Sequence, residues 1–189
     1  MYKFIELKAI KADGFLKEFL KNQANNLTGE IDLVGFPFSG NFWGNNHPTE
    51  KDYPADSFFL GGVNTADDTW APYEQTGYWI DGMVKVSSLI GDNKLFKKAE
   101  SKILPVILNP DKTGYLGPDI LKDKITWAHA VYFRSVCAYY EVTHNQEVLT
   151  ALQNHFLRVP LKDVYKKDKS PRILLVRDIA DIETALYIY

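Results

Sequence analysis

The feature that most constrains this chain is a two-helix pattern that occurs twice at an offset of 53 residues. The first copy places Ile80, Met83, Val84, Val86 and Leu89 at helical spacing and stops at Gly91-Asp92. It resumes over 94–108 with Leu95, Phe96, Ala99, Ile103 and Leu104. The second copy covers 127–142, turns at Thr143-His144-Asn145, and continues over 147–157. Apolar residues recur every three to four positions in each, the period of an amphipathic helix. The offset pairs Trp79 with Tyr132, Met83 with Val136, Leu95 with Val148 and Ile103 with Phe156, matches of character rather than identity. A recurring two-helix unit with short turns predicts stacked or toroidal hairpins, and so an all-α fold. Pro105 lies inside the second helix of the first copy and should kink or end it.

Upstream, Phe15, Leu16, Phe19, Leu20 and Leu27 predict a further helix over 13–27. From 29 to 70 glycine, proline, asparagine and aromatics alternate without sustained period, which predicts a long irregular loop with a role in ligand contact. A third unit begins near Asp178 with Ile179, Ile182, Leu186 and Tyr187. Its apolar residues reach the last position without a partner helix. The expectation is therefore one domain over 1–189, the N-terminal part of a larger helical toroid, incomplete at its C-terminus, with self-association through the unpaired last helix.

The 22 basic and 24 acidic residues leave a formal charge of -2, which favours neither nucleic acid nor an anionic membrane as partner. No run is long enough to span a bilayer. The lysine-interleaved start lacks the apolar core of a secretory signal, so the compartment stays open between the cytoplasm and secretion with a signal already removed. Cys137 is the only cysteine, which excludes an intrachain disulfide and a thiolate-rich zinc site built from this chain alone. Aromatic residues make up 14% of the chain, and aromatic faces suit both core packing and stacking on sugar rings.

Chemistry concentrates in WAPYEQTGYWIDGM, residues 70–83. It gathers Trp70, Tyr73, Tyr78 and Trp79 with Glu74, Gln75 and Asp81. Glu74 and Asp81 are two turns apart on one helix face, separated by roughly 10 Å along the axis. Paired carboxylates serve glycosidic cleavage, but this separation fits a grip on sugar hydroxyls better than a catalytic pair. Gly77 and Gly82, each costing about 1 kcal/mol relative to Ala in a helix interior, point to close approach of another element or a ligand. TGYLGPD, residues 113–119, makes a tight loop around Tyr115. Of the four histidines none has the i, i+4 spacing of a helical metal pair, and His129, two residues after Trp127, is the one placed to reach the same cavity as Trp79. No phosphate-binding glycine loop or nucleophile elbow is present.

These motifs, in the order WAPYEQTGYWIDGM, GDNKLFKKA, GYLGP and AYYEVTHNQEVLTAL, resemble the catalytic domain of glycoside hydrolase family 127, the β-L-arabinofuranosidase-like proteins. The opening IKADGFLKEFLKNQANNLTG is similar to that family's first helix. The resemblance implies an (α/α)6 barrel and hydrolysis of non-reducing terminal sugars in plant-type glycans. It places Trp70, Tyr73, Glu74, Tyr78, Trp79, Asp81, Tyr115 and His129 near the substrate cavity. It also implies a cysteine nucleophile beside a zinc ion held by a glutamate and further cysteines, in later barrel helices. With Cys137 alone, this chain carries neither, so no catalytic residue or metal ligand is assigned and zinc is expected only in a longer protein. Two other readings stand beside it: an (α/α)-barrel uronyl hydrolase or sugar epimerase, and a non-catalytic module that binds a glycan or oligosaccharide.

Overall fold

The computed structural model describes residues 5–44, 71–122, 127–158 and 184–189, and every regular element among them is helical. α1 is Gly14–Asn25, α2 Leu27–Glu30, α3 Ala71–Ile90, α4 Asn93–Ile107, α5 Trp127–Thr143 and α6 Gln146–Arg158. Single 3-10 turns lie at Leu7–Ala9, Ile31–Val34 and Asp119–Leu121, and a last helical turn covers 184–188.

The two hairpins repeat in register. α3 ends at Ile90 and α5 at Thr143, while α4 starts at Asn93 and α6 at Gln146, so both boundaries shift by the same offset. Gly91 (φ 73°) and His144 (φ 52°) hold the equivalent left-handed position that stops each first helix. Glycine does so freely, whereas His144 carries a Cβ there. The next residue caps the second helix in each case. Asp92 Oδ1 accepts from the Leu95 N–H at 3.0 Å, and Asn145 Oδ1 accepts from the Glu147 N–H at 3.0 Å. Pro105 sits in the last turn of α4, which ends two residues later, and its carbonyl accepts from Asn109 Nδ2 at 2.8 Å.

Within each hairpin the two helices differ. α4 and α6 have one apolar stripe, whereas α3 and α5 are apolar on most sides and lie against each other along their lengths. Tyr73, Ile80, Met83 and Val84 from α3 and Tyr132, Phe133 and Val136 from α5 are almost wholly buried. Gly77 makes this approach feasible, since a Cβ there would sit 3.0 Å from Val131 Cγ1 and 3.3 Å from the Tyr132 backbone nitrogen. At Gly82 the nearest neighbour would be Thr28 Cγ2 at 3.9 Å, an ordinary contact. The two glycines therefore predict opposite signs. Gly82→Ala is expected to stabilise by up to about 1 kcal/mol through helix propensity. Gly77→Ala should lose that gain to overpacking of about 1–3 kcal/mol against helix backbone that cannot yield. Urea denaturation of both variants tests this, and equal effects would show that α5 does not sit this close to α3.

The segment after α1 is less irregular than its sequence suggests. It forms α2 and a 3-10 turn, both too short to leave a readable period, and 35–44 then tucks aromatic side chains into the core. Lysines of α4 hold it down: Lys98 Nζ donates to the Gly29 carbonyl and reaches Asp32 Oδ1, each at 2.6 Å, and Lys102 Nζ donates to the Gly40 carbonyl at 3.1 Å. The remainder of the expected loop, residues 45–70 with His47 and Trp70, lies outside the described residues. At the N-terminus, Lys11 Nζ donates to the Ser88 carbonyl at 2.9 Å in the last turn of α3, and Lys8 hydrogen-bonds His144 beyond α5. Lysines suit that end of a helix because its last carbonyls lack intrahelical partners and carry the negative end of the dipole. The turn at 184–188 rests on the second hairpin: Ile188 is buried and its carbonyl accepts from Gln153 Nε2 at 3.0 Å, while Leu186 and Tyr189 stay exposed. No described helix is long and apolar enough to cross a membrane.

Candidate functional site

The eight residues singled out from the sequence separate into different surroundings. Trp70 lies outside the described residues. Tyr73, Tyr115 and His129 belong to a buried aromatic cluster where α3, α5 and the 111–118 loop meet. Trp43 is its centre, stacked on Tyr132 with ring centroids 4.1 Å apart, set edge-on to Tyr73 and His129, and donating Nε1–H to the Tyr73 carbonyl at 3.0 Å. Trp79 points away from that cluster. Its Nε1–H donates to the Thr28 carbonyl at 2.7 Å, Phe38 meets it edge-on, and the ammonium groups of Lys98 and Lys102 lie over its ring. Glu74 and Gln75 are half-buried near the start of α3. Sequence alone had placed Trp79 and His129 on one cavity; each is packed against different elements.

The 111–118 loop is fastened by two histidines acting on one peptide unit. His155 Nδ1 accepts from the Leu116 N–H at 3.0 Å, and His129 Nε2 donates to the Leu116 carbonyl at 3.0 Å. The rings are 5.7 Å apart and near parallel. Burial, followed by the neighbouring His129, holds the His155 pKa down at about 3, so its Nδ1 stays free to accept. Asp111 ties the base of the loop by accepting from the Thr113 N–H and hydroxyl, the Tyr115 N–H and Lys122 Nζ. Burial acts to raise the Asp111 pKa, but these four donors outweigh it and hold the carboxyl well below its usual range. Tyr115 thus faces inward, its hydroxyl donating to the Pro118 carbonyl at 3.3 Å.

Asp81 leads to a different place. Its buried carboxylate is reached by Arg134 of α5 through Nε at 3.1 Å and Nη2 at 3.0 Å, and by Lys85 Nζ at 2.8 Å. Tyr78 lies alongside with the Arg134 guanidinium 5.4 Å over its ring. Arg134 and Lys85 of this cluster line a groove of about 220 Å³. Trp127, Val131, Arg134, Ala138 and Glu141 line it from α5 at heptad spacing, opposite the Tyr132, Val136 and Tyr139 face that enters the core. Lys85, Leu7, Thr184 and Tyr187 complete its lining. At the far end Glu141 Oε2 accepts from the Leu7 N–H at 3.2 Å, and Tyr187 lies close by. Burial first, then the nearby Glu141, push the Tyr187 pKa up, so its hydroxyl remains a donor.

None of the described residues of the sequence-derived set lines this groove; Asp81 stands behind it as the partner of Arg134 and Lys85. Lys85, Arg134 and Glu141 were not anticipated, although one signal was available: Arg134 interrupts WAHAVYFRSVCAYY, an otherwise apolar helix in which an arginine needs a reason. Among the described residues no three His, Cys, Asp or Glu side chains are grouped to hold a metal ion, and Cys137 sits on the groove wall without a second thiol. The residues present do not make the zinc site that the family resemblance implies for later helices. No known protein family, curated protein or solved structure matches the chain. What fold and site define directly is an all-helical protein with a groove along α5 in which Lys85, Arg134 and Glu141 stand among mostly apolar residues.

Proposed function

We propose that this chain is the sugar-recognising part of a carbohydrate-active (α/α)6 barrel of the β-L-arabinofuranosidase-like type, acting on the non-reducing ends of glycans. The groove on α3 and α5 carries this reading. It sets Trp127 with Arg134, Lys85 and Glu141, combining an aromatic face for the C–H side of a sugar with charged groups for its hydroxyls, while Tyr78 and Asp81 hold Arg134. The alternation of helices apolar on most sides with helices carrying one apolar stripe is also what an inner and an outer ring of helices require. Recognition rather than bond cleavage is the role of these residues. Cleavage, with zinc and a cysteine nucleophile, is proposed only for a longer protein.

Titration of the 189-residue chain with arabinose-terminated and galacturonan oligosaccharides tests the reading through its tryptophan fluorescence. Saturable quenching is expected, with affinity falling about tenfold or more in Trp127→Ala, as loss of roughly 1.4 kcal/mol of contact requires. Quenching that survives unchanged in Trp127→Ala would move the site elsewhere, and no response to any glycan would sink the carbohydrate reading.

A further inference from the structure

The charges at the Arg134 end of the groove do not balance. Arg134 and Lys85 share the carboxylate of Asp81, whose side chain is 8% exposed, while those of Arg134 and Lys85 are 48% and 41% exposed. The anion is buried behind the pair and the cations face outward. Two positive charges thus meet one negative, and of the three only the cations, Arg134 and Lys85, line the groove.

The donors left over have a shape. A guanidinium carries five N–H groups in a rigid planar fork. Asp81 takes those on Nε and one on Nη2, which leaves the Nη1 edge available. The guanidinium carbon lies 5.4 Å over the Tyr78 ring, a contact that helps hold the head group in place. Glu141, the nearest acidic group further along the same stripe, is seven residues or roughly 10 Å from Arg134 along α5. It is already engaged by the Leu7 N–H. Trp127 lines the same stripe seven residues, or roughly 10 Å, in the opposite direction.

We propose that the Lys85–Arg134 end is a carboxylate subsite, so that the sugar taken by this groove is an acidic one, a uronic acid or its like. This rests on the carbohydrate reading above and, within it, favours an acidic sugar over neutral arabinose. A neutral sugar offers hydroxyls to the fork but leaves the excess charge unmatched, whereas a carboxylate accepts two parallel charge-assisted hydrogen bonds. It also gives the uronyl branch of the (α/α)-barrel readings a specific anchor.

Binding of D-galacturonate, D-galactose, acetate and inorganic phosphate to the 189-residue chain, followed by NMR chemical-shift perturbation at low and at 0.5 M salt, tests it. Galacturonate is expected to bind about tenfold or more tighter than galactose, to weaken with salt, and to lose that preference in Arg134→Gln and in Lys85→Gln. Lys85→Gln leaves the Arg134–Asp81 pair in place, so it keeps the test readable even where Arg134→Gln unfolds. Equal binding of galactose and galacturonate would overturn the carboxylate subsite while leaving the carbohydrate reading standing. Acetate or phosphate binding as tightly as galacturonate, without a response to galactose, would show a bare anion site and overturn both.

Discussion

Replacing Trp43 by alanine is expected to lower the free energy of unfolding by about 3–5 kcal/mol, the cost of emptying a large buried aromatic site. Trp43 is only 2% exposed and touches three elements: it stacks on Tyr132 of α5, meets Tyr73 of α3 edge-on, and packs beside His129 under the 111–118 loop. Alanine removes those ring contacts and also leaves the Tyr73 carbonyl without its indole donor. A domain of this size has about 5–15 kcal/mol of stability in total, so the variant should unfold at markedly lower urea concentration or fail to accumulate. Phe15→Ala is the control. Phe15 is 86% exposed on α1, and its loss should move the midpoint little. A Trp43→Ala loss below about 1 kcal/mol would mean that residues 35–44 are not seated on α3 and α5 in solution.

Mild acid is expected to cost the protein roughly 2 kcal/mol of stability between pH 6.5 and pH 5 through His155 alone. Its pKa is held at about 3 in the folded state against an ordinary value of 6.5, by burial and then by His129. The unfolded chain therefore binds the extra proton throughout that interval, and the folded chain does not. Stability is complete above pH 6.5 and is lost as the pH falls toward 3. Carboxylates such as Asp111, whose folded pKa is depressed, act mainly below pH 4, so the window from 6.5 to 5 isolates the histidine. His155→Gln can accept the Leu116 N–H through its amide oxygen but takes no proton, and its stability should be nearly flat across the window. The same slope in wild type and variant would assign the acid sensitivity to another group. The Leu116 amide should keep its hydrogen bond in the folded state across this window, because Nδ1 stays unprotonated there and continues to accept its N–H.

The hairpins were legible because their signals are local. Period, glycine and cap residues sit within a few positions of one another, and the sequence offset carried through to the helix boundaries at Ile90 and Thr143. The candidate site was legible only in part. Tyr78 and Trp79 are adjacent aromatics about 100° apart around α3. The sequence favoured Trp79 for the sugar, yet Trp79 is buried against Thr28, Phe38 and two lysines, and Tyr78 is the ring beside Arg134. A helix with apolar residues on most sides has no empty face, so periodicity cannot say which side meets a neighbour. His129 and Tyr115 were likewise recognised as unusual, but the fact that one peptide, Leu116, brings His129 and His155 together depends on α5 and α6 lying side by side.

The sequence by itself determined an all-helical chain built from a repeated hairpin, with its turns and caps, because those follow from contacts a few residues apart. Only the tertiary structure decided which groups share a site. Asp81 and Arg134, equivalent positions of two successive repeats, meet across the α3–α5 interface that Gly77 opens. That pairing depends on the rotation of each helix about its own axis, which is set by the packing of whole side-chain faces and not by the spacing of any residue along the chain.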